Sequence, residues 1–247
     1  MNSLQIEQLK IIRNEITRFM MKYKFALDEI ETKMEILKEE FQALHDYSPI
    51  EHTKSRLKSP ESIMKKLLRK GGNISLSSIE DNIKDIAGLR ITCSFITDIY
   101  KISDMLQNQS DLTVLNVKDY IKNPKPNGYQ SLHLLVEVPV FFSDRVEKVC
   151  VEVQIRTIAM DFWASLEHKI FYKYNKSVPQ HLLEELKKAA DTANALDRQM
   201  EQLHREVQAI KDSESDDSLL EELKSIQINN RKYELPAGLL EVLTEDK

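Results

Sequence analysis

Residues 147–156 read EKVCVEVQIR, and this stretch decides the fold that the sequence predicts. Aliphatic side chains alternate with polar ones or cysteine, and a period of two is typical of a β-strand. The aliphatic face would carry Val149, Val151, Val153 and Ile155. The opposite face would carry Cys150, Glu152, Gln154 and Arg156. A strand with one solvent-exposed face would show the same pattern, so this strand alone leaves a structural and a functional interpretation open.

Two further predicted strands also place polar groups on one face only. The strand at 88–95 carries Arg90 opposite its aliphatic residues, with Asp85 just before it. The strand at 131–140 carries His133 opposite two leucines. Helices bracket these strands in the sequence, which favours a shared polar cleft over a fully solvated face.

The remaining elements follow from helical periodicity and from turn residues. Helices are predicted at 98–109, 157–174 and 179–211, and between the N-cap Ser59 and the terminating Gly71. Residues 4–44 are predicted to form one long helix or two short ones. A strand is also predicted at 112–120, and NPKPNG at 123–128 must form a loop. This order predicts an α/β (α+β) fold, a mixed β-sheet flanked by helices, with long helices at both ends.

These elements suggest four parts. They are an N-terminal helical extension (1–45), a core (46–175), a C-terminal helix (176–212) and an acidic linker with a tail (213–247). The end helices carry more apolar residues than one small sheet can cover, so we expect a homo-oligomer, in particular a tetramer.

Composition narrows the class of protein. The 247 residues are 41% hydrophobic and 30% charged, as in ordinary globular proteins. A net charge of −5 argues against nucleic acid as an obligatory partner. Two isolated cysteines, both expected to be buried, provide neither a disulfide framework nor a zinc site. Because the sequence contains neither a signal peptide nor a membrane-length apolar run, we expect a cytoplasmic location.

A basic segment adds capacity for phosphate. Arg56 and Lys58 precede a helix, in a stretch expected to be irregular, and an arginine there can stack on a purine as well as bind phosphate. Three lysines on the following helix are interpreted as a solvated face: Lys65, Lys66 and Lys70.

Two side-chain sets suggest chemistry on nucleotides. Asp85 and Glu152, with several cations nearby, suit Mg²⁺ and a polyphosphate. Tyr129, beside Gly128, either stacks on a base or belongs to the core. On the helix at 157–174, the apolar residues are expected in the core: Phe162, Trp163, Leu166 and Ile170.

Four ordered motifs resemble the synthetase domain of the RelA/SpoT family. They are DIAGLRI (85–91), KPNGYQSLH (125–133), VEVQIRT (151–157) and DFWASLEHKIFYK (161–173). The resemblance runs from about Tyr23 to Val207 and is strongest to small stand-alone synthetases of the RelP type. It implies a nucleotidyltransferase-like fold and a Mg²⁺-dependent GTP diphosphokinase. Such an enzyme moves pyrophosphate from ATP to the 3′-hydroxyl of GTP or GDP and makes the stringent-response alarmone (p)ppGpp.

The resemblance also implies a role for each matching residue. Asp85 and Glu152 would hold Mg²⁺, and Glu152 would accept the proton of the attacking hydroxyl. ATP would be bound by Arg56, Lys58, Ser62 and Arg90. GTP or GDP would be bound by Lys125, Asn127, Tyr129, His133, Gln154, Arg156 and Asp161. Asp161 departs from relatives that carry Asn, although a carboxylate could also accept hydrogen bonds from guanine.

Two other classes of function remain as alternatives, a nucleotidyltransferase acting on a polynucleotide end and a binding module that has lost catalysis. The net charge speaks against the first, and the presence of both Asp85 and Glu152 speaks against the second. Hydrolase activity is not expected. His45-Asp46 resembles a hydrolase pair, but a metal site needs further ligands converging from separate elements, and no histidine precedes His45.

Overall fold

A five-stranded mixed sheet organises the chain. The computed structural model describes residues 3–45, 47–171, 178–213, 225–228 and 231–236. The elements in chain order are α1 (Ser3–Leu44), β1 (Ile50–Leu57), α2 (Pro60–Arg69), α3 (Leu76–Asn82), β2 (Ala87–Cys93), α4 (Ile96–Asn108), β3 (Thr113–Asp119), β4 (Leu132–Phe141), β5 (Val146–Thr157), α5 (Ile158–Phe171), α6 (Gln180–Ser213), β6 (Ser225–Ile228) and β7 (Arg231–Glu234). The last two strands form a separate antiparallel hairpin.

The strand order in the main sheet is β1-β2-β5-β4-β3. Strand β5 lies at the centre, parallel to β2 and antiparallel to β4, while β1 and β3 form the two edges by antiparallel pairing. The register sets Gly88 beside Glu152 on one side of β5 and His133 beside Gln154 on the other. The polar residues of three strands therefore share one face, as the alternation predicted.

The other face of the sheet is apolar and is covered by α1 and α4. Leu134 and Val153 are fully buried there, together with Ile30 of α1 and Ile102 of α4. From Phe19 onward the helix α1 belongs to the same apolar cluster as the sheet. This coverage on one side leaves the polar face of β5 to line a cleft.

Local sequence signals explain where α2 begins and ends. Ser59 is the N-cap and its hydroxyl accepts the Ser62 N–H, and Pro60 occupies the first turn, where no N–H is needed. After Arg69 the chain turns through Gly71, whose φ of +72° is accessible to glycine at little cost. The helix thus starts beside Lys58, at the edge of the cleft.

The structure confirms the α+β fold with its mixed sheet, and it corrects some local expectations. Residues 50–57, expected to be irregular in part, form the edge strand β1, because they pair with β2 along its length. The short helix α3 and the hairpin β6–β7 were not predicted. In the ranges described above, no helix is both long and apolar enough to span a bilayer.

The apolar residues of α5 also differ from expectation. Of the four residues expected in the core, only Trp163 is buried, and its indole N–H donates to the Leu186 carbonyl of α6. Phe162, Leu166 and Ile170 are exposed, because α5 packs on α6 and the sheet through a narrow stripe. Of the two cysteines, Cys93 is buried as expected and Cys150 is half-buried on the polar face. Asp46, the second member of the pair His45-Asp46, lies outside the described residues.

Candidate active site

Two cavities meet at a pair of carboxylates on the polar side of the sheet. Asp85, just before β2, and Glu152, in the middle of β5, line both cavities. One cavity has a volume of about 540 Å³ and the other of about 390 Å³. A volume of this size suits a small-molecule ligand.

The larger cavity is rich in arginine. Arg56 of β1, Arg90 of β2 and Arg156 of β5 line it, and Tyr129 enters it from the loop before β4. Residues 164–165 and 167–169 of α5 form another part of its wall. Planar guanidinium groups and a phenol ring can stack on purine bases. We call this the arginine cavity.

The smaller cavity is rich in lysine. It is lined by Lys66, Lys70, Lys84, Lys118 and Lys125, together with Tyr120 and His133. Lysine ammonium groups act as mobile point charges and bind phosphate oxygens without a fixed orientation. We call this the lysine cavity, and its composition suits a polyphosphate chain.

Asp85 is held by two lysines. Its Oδ2 accepts hydrogen bonds from Lys58 Nζ at 2.5 Å and from Lys66 Nζ at 2.6 Å. Burial acts to raise the pKa of Asp85, but these two lysines outweigh burial and lower it. The other oxygen, Oδ1, is buried and has no hydrogen-bond partner among the described residues. An ionised carboxylate with one uncommitted oxygen is therefore present at the junction.

Glu152 is supported from both neighbouring sides. Its Oε2 accepts a 2.8 Å hydrogen bond from Gln154 Nε2, and its Oε1 lies 3.7 Å from His133 Nδ1. The contact with His133 is the largest cause of the lowered pKa of Glu152, against the opposing effect of burial. Glu152 is thus ionised at neutral pH and able to accept a proton or ligate a cation.

A ring of polar contacts, completed by the 3.7 Å approach of His133 to Glu152, connects Glu152 to the tyrosine of the arginine cavity. Arg156 Nη2 donates to Gln154 Oε1 at 2.8 Å and to the Tyr129 hydroxyl at 2.6 Å. The same hydroxyl lies 2.8 Å from His133 Nε2, which returns the path to Glu152. Tyr129 is half-buried and lines the cavity, so it is not a core residue.

Aromatic and cationic groups lie close together in and beside the loop before β4. Lys125 Nζ lies 4.4 Å from the ring centre of Tyr129 and 4.7 Å from that of Tyr120. Asn127 Oδ1 accepts the Tyr129 N–H at 3.2 Å, and Gly128 takes a φ of +88°. A Cβ at Gly128 would lie 2.5 Å from Ala190 of α6, so this turn also brings the loop close to that helix.

The structure brings most of the residues predicted for the site together. The arginine cavity contains Arg56, Lys58, Asp85, Arg90, Tyr129, Glu152, Gln154 and Arg156. The lysine cavity contains Lys125 and His133, again with Asp85 and Glu152. Three predicted residues do not line either cavity: Ser62, Asn127 and Asp161. The two cavities therefore do not correspond to the two nucleotides. The arginine cavity holds the candidate contacts to bases, and the lysine cavity holds candidate contacts to phosphates.

Sequence reasoning placed Lys66 on a solvated helix face, and this was wrong. Lys66 lies one turn after Ser62, on the side of α2 that faces Asp85, and it binds that carboxylate. Its spacing of four from Ser62 could have indicated this common face. Lys118 and Tyr120 were not singled out at all, because their position opposite His133 depends on the pairing of β3 with β4.

Fold and site together define a class of protein. A mixed sheet presents two ionised carboxylates between a stacking cavity and a cationic cavity, an arrangement suited to nucleotide-dependent transfer of a phosphoryl or pyrophosphoryl group.

Comparison with known proteins identifies the family within that class. A protein-family model, described as the region found in RelA / SpoT proteins, matches residues 55–177 of this chain. The chain is 52% identical over 202 residues to GTP pyrophosphokinase YwaC of Bacillus subtilis, covering 82% of this chain and 96% of that relative. The chain belongs to the RelA/SpoT family.

Two solved structures are similar over most of the chain. The small alarmone synthetase 2 from Bacillus subtilis has a TM-score of 0.71 and 53% identity, covering 78% of this chain and 99% of that one. The small alarmone synthetase 1 from the same organism, bound to its product pppGpp, has a TM-score of 0.73 and 39% identity, covering 78% and 98%. Both agree with the resemblance that the four motifs carry.

Proposed function

We propose that this chain is a (p)ppGpp synthetase, a GTP diphosphokinase that transfers pyrophosphate from ATP to the 3′-hydroxyl of GTP or GDP. The observation that carries the proposal is the meeting of the arginine and lysine cavities at Asp85 and Glu152. Stacking groups for two purines lie on one side of this pair and cations for polyphosphates on the other. The high identity to a GTP pyrophosphokinase supports the same reaction.

The carboxylate pair fits Mg²⁺. This cation binds one or two carboxylates and takes its other ligands from phosphate and water. The buried, unpartnered Oδ1 of Asp85 matches that need, and Glu152 lines the same junction. Asp85 and Glu152 would hold the ion, which when bound supplies positive charge to the polyphosphate in the transition state.

Glu152 would also accept the proton from the acceptor's 3′-hydroxyl. The 3′-oxygen then bonds to the β-phosphorus of ATP, the bond from that phosphorus to the α-phosphate bridging oxygen breaks, and AMP leaves. Glu152 suits this role because Gln154 donates to one of its oxygens, His133 lies 3.7 Å from the other, and its lowered pKa keeps it ionised. Such transfer needs positioning and charge stabilisation more than covalent help.

The proposed ATP contacts come from β1, α2 and β2. Arg56 and Arg90 would enclose the adenine ring, since both line the arginine cavity. Lys58 binds Asp85 and so already lies where the two cavities meet. It would move from this carboxylate to the ATP phosphates. Ser62, in the first turn of α2, would offer its hydroxyl to a phosphate.

The proposed acceptor contacts come from the loop before β4 and from the strands beside it. Tyr129 would stack on guanine, and Lys125 and His133 would bind the acceptor's phosphates or ribose from the lysine cavity. The remaining members of the proposed acceptor site are Asn127, Gln154 and Arg156, together with Asp161, which reaches the site through its contacts with Arg90 and Arg156. Asn127 supports the Tyr129 backbone, and Gln154 and Arg156 belong to the ring that orients the phenol.

Labelled ATP incubated with the protein, Mg²⁺ and GTP or GDP tests the reaction directly. The expected products are AMP and a guanosine penta- or tetraphosphate, and chelation with EDTA should abolish both. The same assay separates the alternatives. A polynucleotide-end transferase would need an oligonucleotide acceptor, and a binding module would bind both nucleotides and form neither product.

Assembly into a homo-oligomer, in particular a tetramer, remains a proposal that α6 supports. Its apolar residues Leu196, Met200, Leu203, Val207 and Ile210 recur at alternating spacings of four and three and are each 47–58% exposed. The side of α6 that faces the core instead carries buried acids, Asp197 and Glu201. An exposed seam with this period suits helix pairing with another copy. Light scattering that reports a monomer at micromolar concentration would contradict it.

Three narrower proposals accompany this function. The division into 1–45, 46–175, 176–212 and 213–247 would be tested by limited proteolysis, with first cuts expected after residue 212. A cytoplasmic location is also proposed, in keeping with the nucleotide substrates. The chain should also lack hydrolase activity, so purified protein given ppGpp and Mn²⁺ should release no pyrophosphate above the control. Pyrophosphate release by the wild type that is lost in His45→Ala would contradict this proposal.

A further inference from the structure

One carboxylate of α5 touches both sets of base-binding groups in the arginine cavity. Asp161 Oδ1 lies 3.0 Å from Arg90 Nη1 and accepts a 3.1 Å hydrogen bond from Arg156 Nη1. Arg90 is the proposed adenine contact, and Arg156 holds the hydroxyl of Tyr129, the proposed guanine contact. Asp161 itself does not line the cavity, so its effect on the nucleotides passes through these two arginines.

The charges around Asp161 make it important for keeping the arginines in place. Arg56, Arg90 and Arg156 converge on one cavity, where like charges repel. Burial lowers the pKa of Arg90 and the nearby charge of Arg156 lowers it further, while Asp161 acts in the opposite direction. Arg90 Nε is buried and finds no acceptor in the part of the chain that the structure describes. The ion pair with Asp161 is therefore the contact that sets the plane of the Arg90 guanidinium.

Stacking does not compete with this ion pair. A guanidinium stacks through its face, whereas its N–H groups donate in its plane. Arg90 can thus keep Asp161 while an adenine lies against it. Arg156, on the guanine side, is 5% exposed and donates hydrogen bonds to Tyr129, Gln154 and Asp161. A path of direct contacts runs from Arg90 through Asp161 and Arg156 to Tyr129.

We propose that Asp161 is a positioning residue that couples the two nucleotide sites, so that binding of one nucleotide favours binding of the other. The inference rests on the proposed function, because it needs adenine at Arg90 and guanine at Tyr129. When the first base orders its side chain, the contact through Asp161 also orders the partner side chain. The second nucleotide then has less conformational freedom to remove and binds more tightly.

The test measures the dissociation constant of α,β-methylene-ATP alone and with saturating GDP. The ratio of the two constants is the coupling factor. We expect at least about fivefold in the wild type, the lower end of ordinary coupling between sites. Asp161→Ala should bring the factor close to one. Asp161→Asn should retain part of it, because an amide oxygen still accepts from both arginines but carries no charge. Asp104→Ala, at an exposed carboxylate of α4, should keep the wild-type factor.

Several readouts separate coupling from a general structural defect. A loosened fold would weaken each nucleotide alone and leave the ratio unchanged. By linkage, a saturating concentration of the ATP analogue must raise the affinity for GDP by the same factor. With both substrates saturating, Asp161→Ala should keep kcat within about tenfold while both KM values rise together.

The inference is overturned by a wild-type coupling factor of one, or by a wild-type factor in Asp161→Ala. If the alanine variant does not fold, Asp161→Asn decides, and a factor unchanged from wild type overturns the inference. Absence of AMP formation by the wild type would instead refute the proposed function. Normal turnover with no coupling would refute only the role of Asp161.

Discussion

The two faces of β5 show how one strand can divide stability from chemistry. Toward α1 and α4, Val151, Val153 and Ile155 are fully buried in the apolar cluster. Toward the cleft, Glu152, Gln154 and Arg156 form a chain of hydrogen bonds. Burial of aliphatic groups stabilises the fold without direction, whereas the polar face depends on atom-to-atom geometry. Mutations at neighbouring residues of this strand should therefore have different effects, a loss of turnover on the polar face and a loss of stability on the apolar face.

The carboxylates of two regions also differ, here in the direction of their pKa shifts. In the cleft, cationic or histidine partners lower the pKa of Asp85 and Glu152 despite burial. Where α6 packs on the core, burial raises the pKa of Asp98 and of Asp197, and the charge of Glu201 adds to both. Of these four carboxylates, the two in the cleft are held ready as ionised ligands, while the two beside α6 cost stability when charged.

The largest expected effect is a loss of turnover, after a mutation on the polar face of β5. Glu152→Gln is nearly isosteric but removes the charge and the proton acceptor, so turnover should fall about 10³-fold or more. The melting temperature should change little. Cys150→Ala, two residues earlier on the same face, is the matched control and should keep wild-type turnover. A folded Glu152→Gln enzyme within tenfold of wild type would remove Glu152 from the mechanism.

The next effect tests the apolar face of the same strand. Ile155→Ala should lower the free energy of unfolding by about 2–5 kcal/mol, the usual cost of truncating a buried isoleucine. Denaturant titration measures it. Well below the melting transition, kcat and both KM values should stay within about twofold of wild type. A loss of turnover as large as that of Glu152→Gln would show that the two faces are not independent.

A smaller effect tests the arginine cavity. Tyr129→Ala removes a stacking surface and should weaken GTP or GDP by about 1–3 kcal/mol. Calorimetry with each nucleotide alone measures it, and the affinity for the ATP analogue should barely change. Equal weakening of both nucleotides would mean that Tyr129 supports the loop instead.

The smallest effect tests the buried acids beside α6. The raised pKa of Asp197 means that the folded state binds the proton more tightly than the unfolded state. Stability therefore falls as pH rises from the unfolded pKa, about 3.9, through the folded pKa. Asp197→Asn can still accept the hydrogen bond that Thr157 Oγ1 donates to Asp197. The variant should be more stable at pH 7, by less than about 1 kcal/mol.

Thermal melts at pH 7 and pH 4 measure this difference. The advantage of the Asn variant should shrink toward pH 4, where Asp197 of the wild type becomes protonated. Asp191→Asn, at an exposed acid of the same helix, is the control and should shift stability little at either pH. A pH-independent advantage would mean that the carboxylate charge is not the cause.

Much of the fold could be predicted because its signals are local. Alternation along 147–156 predicted β5 and its two faces, and Ser59 with Gly71 predicted the ends of α2. Strand β1 was missed because its sequence is mostly polar, as an edge strand can be. The exposed apolar residues of α5, such as Phe162, were placed in the core because apolar character alone does not reveal which side a neighbour covers.

The family, the fold class and the residue types of the site could be inferred from sequence, since motifs and periodicity are properties of neighbouring residues. The tertiary structure was needed to show that Lys66 binds Asp85, that Lys118 faces the lysine cavity, and that Asp161 joins Arg90 to Arg156. These contacts depend on strand register and on helix docking, which bring distant segments within a few ångströms. The energy of a contact depends on that separation, and no periodicity along the chain encodes it.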